Sequence, residues 1–485
     1  MRITTNTRLP PSAKPAVKNQ HGGDSWKYNE ITSQKIAING AVSLGNKGFD
    51  YQKNREKIYK LMHKSASILN QKVFNPETNK TRLKFRVGYC KRTRIDVNKN
   101  VFVFVNNETE KAQFGNLITC SDLWTCPHCA NRITTVRGME ILHAVAQAPA
   151  FAFVTITSPH NLHDRLVDTL ELQKIALQKF WRQRSVREML ANLGVHGRIS
   201  TSEVKWGSVN GWHPHEHILL FMDRPLAPAD MALVQKFLAS EWKDAYKKAR
   251  ETKTAWKSKK LPSMEHGLDI KAVTTKEMME NIAEYIAKHG VMPSPKHEHG
   301  GMGRINHEMT KWHTKTGYSD SYTPWDLLAI ADPDDPNCNY SRLFKEYANA
   351  YRGKRQLVWS RGLKARYGVG EKTDDEIAQE TSENAIVTHE IAVDLWRLVV
   401  ARKERAKVLN LAEKDHANGT DDLYFYLLEI SADYIRNNMD DENLYKIHHE
   451  VQKLKKLLYQ PPPDLGNSLK PPRGNYEHRN TPKNP

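Results

Sequence analysis

Apolar residues change their spacing several times along this chain, and each change marks an element. At 52–71 they recur at helical intervals, which predicts a helix. Two stretches of alternating character, "LKFRVGYC" and "NVFVFVNN", predict short strands around the cysteines. "FAFVTIT" at 151–157 is strongly β-prone, and the "SPHN" after it is a turn. A long helical pattern, clearest in "LQKIALQKFWRQ", leads into "GRISTSEVKWGSVNGWHPHEHILLFMD", which is two strand-like runs around a Gly/Asn turn and so a β-hairpin. Residues 231–250 read as helix, 268–273 as a strand, and "TKEMMENIAEYIAKHG" as a helix stopped by Gly290. The order strand, helix, hairpin, helix, strand, helix predicts an α+β fold with a central, mainly antiparallel β-sheet flanked by helices. After about residue 372 the pattern becomes one of capped helices, with Thr or Asp ahead of acidic first turns in "TDDEIAQE" and "GTDDLYFYLLEISADYI".

Three histidines fall within five positions of the hairpin's second arm. Alternate residues of a strand face the same way, so His213, His215 and His217 share one side. Adjacent members of that row are about 6.6–6.8 Å apart, near enough to converge on one ion, whereas the outer pair at roughly 13 Å is not. Pro214 suits the first residues of a strand, and the apolar run 218–222 reads as buried on both faces. These constraints select His215 and His217 and leave His213 at the mouth. Glu203, on the partner arm, is placed to face them. Two imidazoles, a carboxylate and open positions suit a divalent ion used in phosphate chemistry, Mn²⁺ or Mg²⁺.

In "NIAEYIAKHG", Tyr285 and Lys288 stand three apart and project from one helix face. A tyrosine hydroxyl is a poor nucleophile unless a cation stabilises its phenolate or a metal activates the target phosphate. A lysine one turn away and the histidine strand before it would give both.

Charge adds a partner. Lys and Arg number 73 against 55 Asp and Glu, a net +18 with a pI near 9.4, which favours a polyanion: nucleic acid first, an anionic membrane surface second. "YRGKRQLVWSRGLKARYG" interleaves Arg352, Lys354, Arg355, Arg361 and Lys364 with Trp359, as single-stranded DNA contact requires; a solvated basic loop beside a core tryptophan fits equally well. No run approaches the roughly 18–20 apolar residues that span a bilayer, and the N-terminus lacks the apolar core of a signal peptide, so no membrane association and a cytoplasmic location are expected. Five cysteines suit a reducing compartment where clustered thiols bind metal. "CSDLWTCPHCANR" supplies Cys120, Cys126 and Cys129, with Cys90 available as a fourth ligand and His128 competing, for a closed structural Zn²⁺ site. Cys338 stands apart.

"FVTITSPH", "HPHEHILL" and "EYIAKHG", in that order, resemble the three motifs of the HUH endonucleases, most closely the rolling-circle plasmid replication initiators (Rep proteins), over roughly residues 86–366. The resemblance implies an HUH-type domain. It also implies that a divalent metal held by His215, His217 and a further ligand such as Glu203 polarises the scissile phosphate of origin DNA. Tyr285 then attacks it, leaving a 5′-phosphotyrosine link and a free 3′-hydroxyl for a host polymerase, with Lys288 orienting or neutralising the phosphate. Such a protein is a DNA-nicking, strand-transferring endonuclease that meets its origin both double-stranded and single-stranded. Some relatives carry a second tyrosine or a glutamate one turn before the nucleophile. Here that position is Asn281, with Glu280 and Glu284 nearby, so the group that ends the round stays open, re-use of Tyr285 from the partner in a homodimer included. No phosphate-binding ATPase loop is present, so a host helicase is expected to unwind the duplex.

The expected division is a disordered basic lead-in (1–45), a helix plus cysteine-rich zinc module (46–150), the HUH domain (151–371), a helical extension (372–459) and a disordered Pro-rich tail (460–485). Two alternatives remain: a zinc-stabilised DNA-binding regulator with a non-catalytic HUH-like domain, and a transposase or relaxase of the same superfamily.

Overall fold

The computed structural model describes residues 51–273, 321–379 and 385–438. Helix α1 (Tyr51–Ile68) is followed by a ribbon of two strands, β1 (Lys72–Asn75) and β2 (Lys80–Leu83), and by β3 (Val101–Asn106) and β4 (Ala112–Gly115). Helix α2 (Pro127–Val145) opens on a proline, whose missing N–H costs nothing at a first helical position. Strand β5 (Ala150–Thr157), helices α3 (Leu166–Arg182) and α4 (Arg184–Asn192), the hairpin β6 (Val195–Gly207) and β7 (Gly211–Met222), helix α5 (Pro228–Arg250) and strand β8 (Leu268–Val273) come next. Beyond residue 320 lie β9 (Ser321–Tyr322), α6 (Pro324–Ile330), α7 (Asn339–Tyr351), β10 (Leu357–Trp359), α8 (Leu363–Arg366), α9 (Asp374–Gln379), β11 (Ala385–Ile391), α10 (Val393–Ala401), α11 (Arg405–Asn418) and α12 (Asp422–Asn438). The architecture is α+β, as the pattern predicted.

The main sheet runs β10-β6-β7-β5-β8, with β9 on the far end of β6, and each of these pairings is antiparallel. β7 is central, which is why its apolar run is buried on both faces. Ile218, Leu220 and Met222 meet Ala152, Val154 and the helices α3 and α5 on one side. Leu219 and Phe221 meet Phe151, Phe153, the C-terminal half of α2 and Leu363 on the other. At the outer edge, the Gln235 side chain on α5 accepts from Ile270 N and donates to Leu268 O, so it occupies ladder positions that another strand would need.

A second sheet, β11-β3-β4, brings the chain's late segment back to its beginning. The region after 372 is therefore not wholly helical. Its strand shows weakly in sequence because a register shift between Val387 and His389 breaks the alternation, and pairing to β3 supplies the order that local propensity does not. "LKFRVGYC" differs too: only Leu83 belongs to a strand, and Phe85 and Val87 are buried from a single 3₁₀ turn, Arg86–Gly88. The largest core joins α1, β3, β4, the first half of α2, α6, α7 and α9 to α12. Among the described residues no helix is long and apolar enough to cross a membrane.

Candidate functional site

The register of the hairpin builds the first candidate centre. Glu203 on β6 lies opposite His215, and Thr201 opposite His217; on the other flank Thr157 faces His215 and Thr155 faces His217. Alternation puts all six on the sheet face that also carries Phe153 and Leu219. Glu203 Oε2 is 3.2 Å from His217 Nε2, and Oε1 is 3.6 Å from His215 Nε2. Glu203, His215 and His217 are buried, and each presents a ligand atom within 4.8 Å of the others.

Surrounding contacts aim these atoms. His215 Nδ1 is 3.4 Å from the backbone oxygen of His213, so a proton held there leaves the Nε2 lone pair facing Glu203. His217 Nδ1 lies 3.2 Å from Thr155 Oγ1, and its ring stacks on Phe153 with centroids 5.2 Å apart. Lys205 Nζ is 3.6 Å from Glu203 Oε1. Glu216, between the two histidines, projects to the opposite face, where the charges of Arg198 and Lys354 act on it.

The donor set fits a divalent ion. An ion bonded at about 2.1 Å holds neighbouring donors about 3.0 Å apart in octahedral geometry and about 3.4 Å in tetrahedral geometry. The carboxylate–imidazole distances here are 3.2 and 3.6 Å.

His213, at the mouth, makes a contact that its sequence position did not announce. Its Nδ1 is 3.2 Å from His160 Nε2, with ring centroids 4.5 Å apart. Burial first, then the neighbouring His215, His160 and Lys205, push the His213 imidazole down to about 3, so it is neutral near pH 7. His160 ends the quoted "FVTITSPH" but was given no role by sequence reasoning; its signal was a histidine three residues after the strand that pairs with β7.

Tyr285, Lys288, Glu280 and Glu284 lie outside the described residues. The described chain stops at Val273, where β8 pairs with Phe151 of β5.

The basic segment divides by environment. Arg352, Arg355 and Arg361 are exposed. Lys354 is half-buried, and burial lowers its pKa. Lys364 lies 3.6 Å from Glu140 and 3.3 Å from Glu371, and its ammonium sits over the Trp359 ring. Trp359 itself packs on the apolar core that shares the histidines' sheet face.

A second centre is formed by Cys90, Cys120, Cys126 and Cys129, all buried and all free thiols. Three Sγ–Sγ distances are 3.6–3.7 Å. A tetrahedral zinc at 2.3 Å from each sulfur sets that edge at about 3.8 Å, close to these three distances. The Cys120 amide points at Cys90 Sγ, 3.5 Å away. Hydrogen bonds from the other three thiols pull Cys90 well below its ordinary pKa, whereas burial pushes Cys120 and Cys126 up. His128, the competing ligand, lies outside this cluster and faces the Tyr59 ring, 6.2 Å away. Arg405 of α11 is fully buried beside the thiols, donating to the carbonyls of Cys90 and Lys91.

The chain is 26% identical over 311 residues to "Protein rep" of Streptomyces lividans, which covers 52% of this chain and 64% of that protein. It is 26% identical over 148 residues to "Neomycin resistance protein" of Streptomyces cyanogenus, covering 25% and 34%. The chain thus spans less than two thirds of the length of these relatives. No solved structure matches it. A family model described as "Replication protein" matches residues 113–404, more than half the chain, and that interval holds the Glu203–His215–His217 centre, three of the four cysteines and Tyr285. The chain belongs to the Replication protein family.

Proposed function

We propose that this protein initiates plasmid rolling-circle replication as an HUH-type endonuclease, with Tyr285 cutting one strand at the origin. The observation that carries the reading is the convergence of Glu203, His215 and His217 on one buried sheet face, in a chain of the Replication protein family. These three residues would hold Mn²⁺ or Mg²⁺, which when bound supplies positive charge that polarises a phosphodiester. The protein's own groups do the rest. Glu203 balances charge at the centre, the His213 carbonyl and Thr155 fix the imidazole tautomers, and the neutral His213–His160 pair lines the entrance. Tyr285 attacks the phosphorus, the bond to the 3′-oxygen breaks, and the DNA 5′-phosphate stays on the phenolic oxygen while the 3′-hydroxyl leaves as a primer. Lys288 neutralises charge on the reacting phosphate.

Chain length supports Tyr285. It stands twelve residues after Val273. Twelve residues even at helical rise reach about 18 Å. The path from the level of Phe151 back to Thr155 is about 13 Å. In this reading the exposed Arg352, Arg355 and Arg361 contact the strand, the four-cysteine centre holds a structural Zn²⁺, and a host helicase and polymerase complete the round in the cytoplasm.

The test is a supercoiled plasmid carrying the DNA that flanks the gene, incubated with Mn²⁺. Wild-type protein should convert it to the open-circular form, and Glu203→Ala should slow conversion by more than about a hundredfold. Unaltered nicking by a His215→Ala/His217→Ala double variant would sink the assignment.

A further inference from the structure

The β1–β2 ribbon is a poor structural element by ordinary criteria. Val73 and Phe74 are 41% and 57% exposed, and Lys72, Lys80, Thr81 and Arg82 are exposed as well. A two-stranded ribbon that buries almost nothing is marginal in water. This one is nevertheless held at its base: Lys84 N donates to Gln71 O, Leu83 N donates to the Tyr89 hydroxyl, and Phe85 is 3% exposed. Gly88 lacks a side chain where Leu83 Cδ1 would lie 2.3 Å from a Cβ, so the ribbon seats directly on the turn that leads to Cys90. The root is fixed and the arms are exposed.

The arms carry one kind of charge. Between residues 72 and 84 stand Lys72, Lys80, Arg82 and Lys84 against a single carboxylate, Glu77, in the tip turn. The register pairs Val73 with Arg82 and Asn75 with Lys80, so Lys80 and Arg82 extend from one face, while Lys72 and Phe74 extend from the other. Two strands about 4.8 Å apart, with side chains, fit a B-DNA major groove about 12 Å wide. Cations on one face and an exposed aromatic on the other complement phosphates and an apolar base edge.

We infer that this ribbon is a contact for double-stranded DNA, inserting into the major groove with Lys80 and Arg82 on phosphates. The inference rests on the reading of the protein as one that acts on DNA, and it is independent of the chemistry at Tyr285. Each phosphate contact contributes about 0.9 to the slope of log affinity against log salt. Removing two should lower the slope by about 1.8, a difference of about twelvefold in how far affinity falls between roughly 50 and 200 mM salt.

The experiment measures binding of the full chain to a mixed-sequence duplex of about two helical turns, by fluorescence anisotropy across that salt range, for wild type and Lys80→Ala/Arg82→Ala. A Lys247→Ala/Lys248→Ala variant removes equal charge from an exposed turn of α5, and oligo(dT) tests the single strand. The expected result is a lower duplex slope for the ribbon variant alone, with oligo(dT) binding and the far-ultraviolet melting curve unchanged. An unchanged duplex slope, an equal loss in the α5 variant or an equal loss on oligo(dT) overturns the ribbon assignment while leaving DNA action intact. Absence of wild-type binding to either DNA overturns both.

Discussion

At the scale of single residues, the candidate centre depends on where two imidazole protons sit. The Thr155 hydroxyl, 3.2 Å from His217 Nδ1, is the contact that orients the ring without being a ligand. Thr155→Val keeps the shape and removes that partner. Outer contacts of this kind are worth about 10–100-fold in metal affinity, so calorimetric titration with Mn²⁺ should show a loss in that range and an unchanged stoichiometry. A second residue prediction lies away from the site. His63 is buried between two arginines, with Nδ1 2.6 Å from Arg92 Nη2 and Nε2 3.1 Å from Arg405 Nη2. Burial first, then Arg405 and Arg92, lower its pKa to about 3, against an ordinary value near 6.5. Below pH 6.5 the unfolded chain therefore takes up a proton that the folded one refuses. His63 adds stability above that pH and loses it as pH falls towards 3. The urea midpoint should drop between pH 7 and 5, and His63→Gln, which keeps an acceptor for one guanidinium, should flatten the drop. An equal drop in the variant would assign the effect elsewhere.

Single elements show what was readable in the sequence. The histidine hairpin was readable because both arms and the turn fall in one local stretch, and its glycine is required. Gly211 has φ +74°, and a Cβ there would lie 2.8 Å from Asn161 O and Leu162 Cα. Gly211→Ala should destabilise the protein by about 1–3 kcal/mol and perturb the aromatic near-ultraviolet signal of Trp212, next in sequence and buried. A wild-type melting temperature would contradict this. The strand β11 was not readable, since its partner β3 lies some 280 residues earlier and the bulge at Val387/His389 spoils its period. The β1–β2 ribbon left no hydrophobic alternation because it buries no face. His160 was visible as a histidine, but its meeting with His213 follows from strand pairing between β5 and β7, which spacing along the chain does not state.

Across the whole molecule, the chain's late segment closes over its cysteine centre. Four thiolates and one zinc ion would carry two net negative charges, and Arg405, fully buried, is a cation brought beside them from α11. The Arg55–Glu413 pair fastens α1 to the same helix. Metal binding and docking of 385–438 should therefore be linked, so chelation should expose that segment to limited proteolysis before β5 to β8 are cut. Equal cutting with and without chelator would separate the two. Helix α2 runs from Cys126 at its start to Ile141, Leu142, Ala144 and Val145, which pack on the sheet face that carries the histidines, so one helix connects the two centres. In the proposed reaction the histidine centre serves Tyr285 in cutting DNA. The most direct test is mass-spectrometric mapping of the covalent product formed with a single-stranded origin oligonucleotide and Mn²⁺. The expected result is one DNA-bearing peptide, containing Tyr285, and its loss with chelator or in Tyr285→Phe. An adduct that survives in Tyr285→Phe, or forms on another residue, would contradict it.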